Sequence, residues 1–238
     1  MTWKQSRSGL AIDLVRPDLS KIDLHVDVAV PLSLINRFDG HASFSEWHGY
    51  SVAQHCCLGA DAILHETGGD TDAALAFLLH DAHEVFSGDI TTPVAEALNR
   101  MVVDPLGRLV VDPQGRLVPS NLVRRAIKDM KQRLDAALYA RLDLDWPLPP
   151  RLAEIVADMD IRMLRAERDQ FMAPPPAPWH DAVERAAPIV SLDWRRFQPK
   201  RPDEWAAEWL ARLAAWHPTQ EPALFGDAVT FVGGEGVR

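Results

Sequence analysis

Three separated stretches of the chain carry side chains that could do chemistry together: Tyr50-Ser-Val-Ala-Gln-His55, Leu78-Leu-His-Asp-Ala-His-Glu-Val-Phe-Ser-Gly-Asp-Ile-Thr-Thr-Pro93 and Ala157-Asp-Met-Asp-Ile-Arg-Met-Leu-Arg-Ala-Glu167. In the middle one, His80 and Asp81 end an apolar helical run, Ala73-Ala-Leu-Ala-Phe-Leu-Leu79. An imidazole and a carboxylate emerging from a buried stripe need partners, because an unpaired charge in an apolar setting is costly. A divalent cation between helices is one efficient partner, since it takes imidazole nitrogen and carboxylate oxygen together. Glu84 lies one turn beyond His80 on the same face, where it could reach a water at such an ion. A His-Asp dipeptide alone is weak, and a lone buried His is usually hydrogen-bonded within a core. The surroundings add weight. Gly88-Asp89 and a Thr92-Pro93 helix start follow, His55 stands upstream in one amphipathic helix, and Asp160 stands downstream in another.

These motifs resemble the HD-domain metal-dependent phosphohydrolases, and more closely their bacterial 5'-deoxynucleotidase branch with its phage relatives. That branch has a His in a Ser-x-x-(Glu/Gln)-His helix, then His-Asp-Ala-x-Glu-x-x-x-Gly-Asp-x-x-x-Pro, then an Asp in a late helix. Here these are His55, then His80-Asp81-Ala82-His83-Glu84 with Gly88-Asp89 and Thr92-Pro93, and finally Asp160. The segment Arg37-Phe38-Asp39-Gly40-His41 is similar to the family's Arg-aromatic substrate segment. The likeness spans residues 20–172 and is most specific at 78–93.

The resemblance implies His55, His80, Asp81 and Asp160 as metal ligands. Asp158 competes with Asp160, but Met163, Leu164 and Glu167 follow Asp160 at helical spacing, and Asp158 falls about 200° away around the helix. Two imidazoles and two carboxylates suit one divalent transition metal: Mn, Co, Fe, Zn or Ni. By the same resemblance Glu84 and Asp89 are catalytic, while Arg37, Phe38, His41 and Thr92 contact substrate. The expected reaction is hydrolysis of a deoxynucleoside monophosphate to deoxynucleoside and phosphate by a metal-activated water. A dNTP triphosphohydrolase or pyrophosphatase is the alternative, with Arg108, Arg116, Arg124, Arg125 and Lys128 extending the phosphate site or simply facing solvent. A different class, an inactive nucleotide-binding module, would have lost a ligand or Glu84, and neither is lost. The family also implies a homodimer.

The elements that must position these residues are mostly helical. The expected class is all-α, an HD-domain helical bundle with minor β in the N-terminal segment and in residues 103–118. Ile22–Val28 alternates like a short strand, and Val28–Phe38 reads as a helix interrupted at Pro31. Helices are expected from Ser51 to about Glu66, over Ala73–Phe86 closed by Gly88, from a Thr92 cap with Pro93 first in the helix, over Asn121–Leu142 behind a Ser120 cap, over Pro150–Met172 and over Asp203–Trp216. Val103-Asp-Pro-Leu-Gly-Arg-Leu-Val110 is repeated at once as Val111-Asp-Pro-Gln-Gly-Arg-Leu-Val118, turn chemistry that reads as a surface hairpin. Residues 1–178 form the expected catalytic domain. Residues 179–238 form a Trp-rich extension packed on it, ending in a mobile tail. His83 is expected on a helix surface, and Cys56-Cys57 as small buried groups behind His55.

The 238 residues include 25 Lys+Arg against 34 Asp+Glu, a net charge of −9. That balance argues against duplex nucleic acid or an anionic membrane as partner, while leaving a small nucleotide substrate open. Two adjacent cysteines cannot build a disulfide framework, and no segment is apolar enough to span a bilayer. A cytoplasmic protein is expected.

Overall fold

The computed structural model describes residues 2–45, 48–102, 108–109, 111–117, 121–191 and 200–218. The chain is predominantly helical. A hairpin of β1 (Trp3–Gln5) and β2 (Ala11–Asp13), with Lys4 opposite Ile12, begins it. A second short pair, β3 (Ser43–Ser45) and β4 (His48–Gly49), closes the loop before α2 (Val52–Glu66).

Helix α2 is the axis of the molecule. Ser51 caps it by accepting from the Gln54 N–H, and eleven of its fifteen residues are buried. Helix α3 (Thr71–Leu79), capped by Asp70, is buried along Ala73–Leu79 and lies against α2. Their close approach depends on Gly59, where a Cβ would collide with the Phe77 ring. Helix α7 (Pro150–Phe171) covers the other side of α3, with Met159 and Met163 buried. Helices α5 (Thr92–Met101) and α6 (Leu122–Arg141) pair with each other, and α8 (Asp181–Arg185) rests on α7.

Several expected elements differ. Residues Leu24–Ala29 are a π-helical turn rather than a strand. Asp27 is buried and accepts from the N–H groups of Asp23 and Ser8 and from the Ser8 hydroxyl. Pro31 sits in the first turn of α1 (Val30–Leu34) and so begins a helix instead of interrupting one. The expected helix over residues 73–86 is broken after Leu79. Tight i→i+3 bonds turn the chain through residues 80–83 before α4 (Glu84–Ser87) resumes. The residue capping α5 is Thr91, with Thr92 and Pro93 following inside the helix. Asn121, in a left-handed conformation, precedes α6; Ser120 lies outside the described residues.

The second copy of the repeat does form a turn. Gly115, at φ +78°, donates to the Asp112 carbonyl, and Val111 pairs with Leu117. Most of the first copy lies outside the described residues, as does the tail expected at the C-terminus. The Trp-rich helix α9 (Pro202–Trp216) is part of the core. It packs on α1, α2 and α3, buries Trp205, Trp209 and Leu213, and donates from Trp209 Nε1 to the Leu78 carbonyl at 3.1 Å. The Arg212 fork holds both oxygens of Asp61 on α2.

Candidate metal centre

Side chains from α2, from the turn after α3 and from α7 meet at one point. His55 comes from the first turn of buried α2, His80 and Asp81 from the helix break, and Asp160 from mid-α7. His55 Nε2 lies 3.3 Å from His80 Nε2 and 3.4 Å from Asp160 Oδ1. Asp81 Oδ2 is 3.2 Å from His80 Nε2 and 3.8 Å from His55 Nε2, and His80 Nε2 is 3.7 Å from Asp160 Oδ1. Asp158 is away from this point, exposed and paired with Arg162.

The far sides of the rings fix what the near sides offer. His55 Nδ1 is 2.6 Å from Glu167 Oε1, and His80 Nδ1 is 2.6 Å from the Phe77 carbonyl oxygen. An acceptor at Nδ1 keeps the proton of a neutral imidazole there, so both Nε2 atoms present lone pairs. Two lone pairs and two carboxylates facing one point need either protons or a cation between them. Donors bound to one transition-metal ion at ~2.0–2.2 Å stand roughly 3–4 Å apart, so the spacing and chemistry of this set fit such an ion. The Phe77 ring stacks on His80 at 4.3 Å between centroids and lies 5.4 Å from His55, holding both rings in place.

The charged groups of the cluster shift one another's ionisation. Burial would lower the His80 pKa, but the Asp81 and Asp160 carboxylates outweigh it and hold it well above the imidazole range. Burial likewise opposes ionisation of Asp81, and His80, Arg37 and His55 override that, keeping it well below the carboxylate range. Glu84 behaves oppositely. Burial, with Asp81 and Asp89 nearby, pushes it up to about 9 despite Lys131 Nζ at 3.3 Å. Asp89, half-buried beyond the Gly88 turn, is raised mainly by burial. The centre opens to solvent at Asp160, whose side chain is 40% exposed against 0% for His55.

Arg37 is buried beside the centre. Its Nε donates to Glu167 at 3.1 Å and its Nη1 to Asp81 at 3.2 Å, while Nη2 stands 4.0 Å from Asp160. Phe38 follows in a left-handed conformation, φ 55°, with Asp39 at φ 53°. Such values are uncommon for residues other than glycine, and here they turn the Phe38 ring out against Trp179, 6.2 Å between centroids. His41 and Thr92 are exposed, and neither side chain makes a hydrogen bond or ion pair with the cluster.

Three residues in and around the centre were given no part in it by the sequence reading. Glu167, fully buried, accepts from Tyr50 Oη at 2.7 Å as well as from Arg37 and His55. Its position seven residues after Asp160 puts it on the same helical face, which was the available signal. Trp179 had no signal beyond being aromatic. His83 is not on a surface: it is buried, with Nδ1 held 2.8 Å from Asp135 Oδ1 of α6. The break after Leu79 turns its ring inward. Both cysteines are fully buried.

No protein-family model matches the chain. It is similar to an uncharacterized protein of Rhodobacter capsulatus, 27% identical over 71% of this chain and 72% of that protein. It is also similar to the uncharacterized protein YfdR of Escherichia coli, 31% identical over 63% of this chain and 62% of YfdR. Neither name states an activity. No helix among the described residues is long and apolar enough to cross a membrane.

Proposed function

We propose that this chain is a metal-dependent phosphohydrolase of the HD-domain type that hydrolyses deoxynucleoside monophosphates. The observation that supports it most is the convergence of His55 Nε2, His80 Nε2 and Asp160 Oδ1 within 3.3–3.7 Å of one another, with Asp81 Oδ2 3.2 Å from His80 Nε2 and 3.8 Å from His55 Nε2 and both Nδ1 atoms held by acceptors. These four residues would hold the ion. A bound divalent ion supplies Lewis acidity and lowers the pKa of water at neutral pH.

The chain's own groups supply the rest. Arg37 Nη2 is the part of its guanidinium left to reach a phosphate oxygen, while Nε and Nη1 are anchored to protein carboxylates. Glu84, with a carboxyl raised to about 9 and one oxygen unpartnered, is poised to hold or exchange a proton near the centre. Asp89 borders the same polar edge. Phe38 and Trp179 offer aromatic faces of the kind on which a base stacks. Substrate would enter on the Asp160 side. Two buried free thiols suit a reducing, cytoplasmic setting.

One observation favours a second reading, hydrolysis of dNTPs. A cleft of about 680 Å³ behind His83 is lined by Arg124, Arg125, Lys128 and Lys131, with Asp135 opposing them. Such a surface suits a longer phosphate chain. The deciding experiment loads the metal-free protein with Mn2+, Co2+ or Zn2+, incubates it with each dNMP and dNTP, and separates products by chromatography. Inorganic phosphate from monophosphates is expected. Triphosphate or pyrophosphate from dNTPs selects the second reading, and no turnover of either removes the proposal. Asp81→Asn is expected to lose metal and activity together while keeping its helical circular dichroism.

A further inference from the structure

The tryptophans divide by what they cover. Trp205 and Trp209 are in the core, and Trp146 and Trp216 pack against it, whereas Trp179 belongs to neither group. Trp179 is nonetheless held firmly. It follows the exposed residues 173–178, Ala-Pro-Pro-Pro-Ala-Pro, between α7 and α8, and its backbone N–H donates to Glu184 Oε1 at 2.8 Å. The buried Arg168 guanidinium donates to the same oxygen at 2.6 Å and lies 5.3 Å over the Trp179 ring. One ion pair thus fixes both the backbone and the ring of a half-buried indole. An aromatic face ordered outside the core is preorganised for a flat ligand.

Its place relative to the metal centre says which ligand. Arg37 Nη2 stands 4.0 Å from Asp160 on the open side, the Arg37 guanidinium carbon is 5.6 Å from the centre of the Phe38 ring, and Phe38 lies 6.2 Å from Trp179 with the ring planes tilted by 57°. The order along this row is metal ligand, cation, ring, ring. A 5'-nucleotide presents phosphate, sugar and base in the matching order. The polar groups around Trp179 are already engaged: Glu184 by Arg168 and the Trp179 N–H, Arg168 by Glu184 and Asp169, and His180 Nδ1 by the Ala182 N–H. None of these is left to read the hydrogen-bonding edge of a base. Contact area then decides, and stacking on an indole grows with the size of the base.

We infer that Trp179, with Phe38, is the base platform of the site and makes it prefer purine to pyrimidine deoxynucleotides, with adenine and guanine taken alike. The inference rests on the nucleotide reading of the centre and adds to it the class of base. No hydrogen bond, ion pair or ring contact links Trp179 to the proposed metal ligands among the described residues. Its contribution therefore goes to binding substrate rather than to the step at phosphorus.

The test is steady-state kinetics of the metal-loaded full-length chain on dAMP, dGMP, dTMP, dCMP and 2-deoxyribose 5-phosphate, read as phosphate release. The wild-type chain is expected to show kcat/KM several-fold higher for both purines than for either pyrimidine, and lowest for the sugar phosphate. Trp179→Ala should raise KM for dAMP and dGMP by about 5–150-fold with little change in kcat. Its loss on 2-deoxyribose 5-phosphate, which has no base to stack, should be far smaller. Trp179→Phe, which keeps an aromatic face, should fall between. Equal kcat/KM for purines and pyrimidines in the wild-type chain, an equal loss on all substrates in both variants, or a loss confined to kcat would overturn the inference. An equal loss is the mark of a purely structural role. If dNTPs prove to be the substrates, the same comparison runs on the four dNTPs and tripolyphosphate. Turnover of neither series removes the proposed function as well, whereas turnover without base preference removes only this inference.

Discussion

Glu167 gives its two oxygens to three donors, and that arrangement sets what His55 can do. With Oε1 on His55 Nδ1 and Tyr50 Oη, and Oε2 on Arg37 Nε, it orients a proposed ligand and the Arg37 guanidinium at once. Burial would raise its pKa, but Arg37 and His55 hold it below the usual carboxylate range. Replacing Glu167 by Gln removes the charge and puts an amide N–H against one of those donors. Metal affinity is expected to fall about 10–100-fold, as when the partner behind a ligating imidazole is lost. Competition against a chromogenic chelator measures it, and unchanged affinity would reduce Glu167 to a space-filling role. The contrast with the four proposed ligands explains what could be read in the sequence. Ligand atoms are restricted to a few residue types, so His55, His80, Asp81 and Asp160 stand out by type and spacing. The groups behind the rings need only accept a hydrogen bond, and one of them is the backbone of Phe77, which leaves no mark in the sequence at all.

At the level of elements, the helices were legible from caps and periodicity, and the departures from helix were not. Residues 73–86 read as one helix because each of them tolerates that conformation; the break after Leu79 comes from tertiary demand. Its support is in part Trp209, fully buried, whose indole N–H holds the Leu78 carbonyl. Trp209→Ala is expected to cost about 3–5 kcal/mol. Trp209→Phe, which keeps most of the ring but not the hydrogen bond, should cost less yet still weaken metal binding through His80. Urea unfolding and metal titration of both variants separate the two effects.

The π-helical turn gives a pH prediction. Burial would raise the Asp27 pKa, but hydrogen bonds from Asp23 and Ser8 outweigh it and the carboxyl stays below its usual value. A folded pKa below the unfolded one, ~3.9, gives stability that is present above that value and lost as pH falls through the folded pKa. Asp27→Asn should therefore be less stable than wild type by about 1–2 kcal/mol at pH 7. The gap should narrow below about pH 4. Urea midpoints at both pH values check this, and a gap independent of pH would show that shape rather than charge matters there.

For the whole molecule, the proposed ligands come from α2, the turn after α3 and α7, so an ion bound there would act on global stability. At 100-fold excess over Kd, binding adds about 2.7 kcal/mol. In a chain of this size that raises Tm by about 5–10 °C. Calorimetry with Mn2+, then with excess chelator, should show the rise and its reversal, and Asp81→Asn should show neither. Residues past 178 lie beyond the family resemblance, yet α9 fills the core against α1, α2 and α3. A stripe of tryptophans shows that a helix is covered, but not which helices cover it.

The order in which these parts leave the ribosome follows from that arrangement. His55 emerges first, and Asp160 is made about 100 residues later, a delay of roughly 5–20 s at ordinary rates of synthesis. Trp209 arrives later still, although the carbonyl it holds belongs to Leu78. The nascent chain thus displays all four proposed ligands before the helix that holds the Leu78 carbonyl exists. A chain cut short between residues 171 and 202 would carry every one of them and still lack the indole that holds the Leu78 carbonyl just ahead of His80 and Asp81.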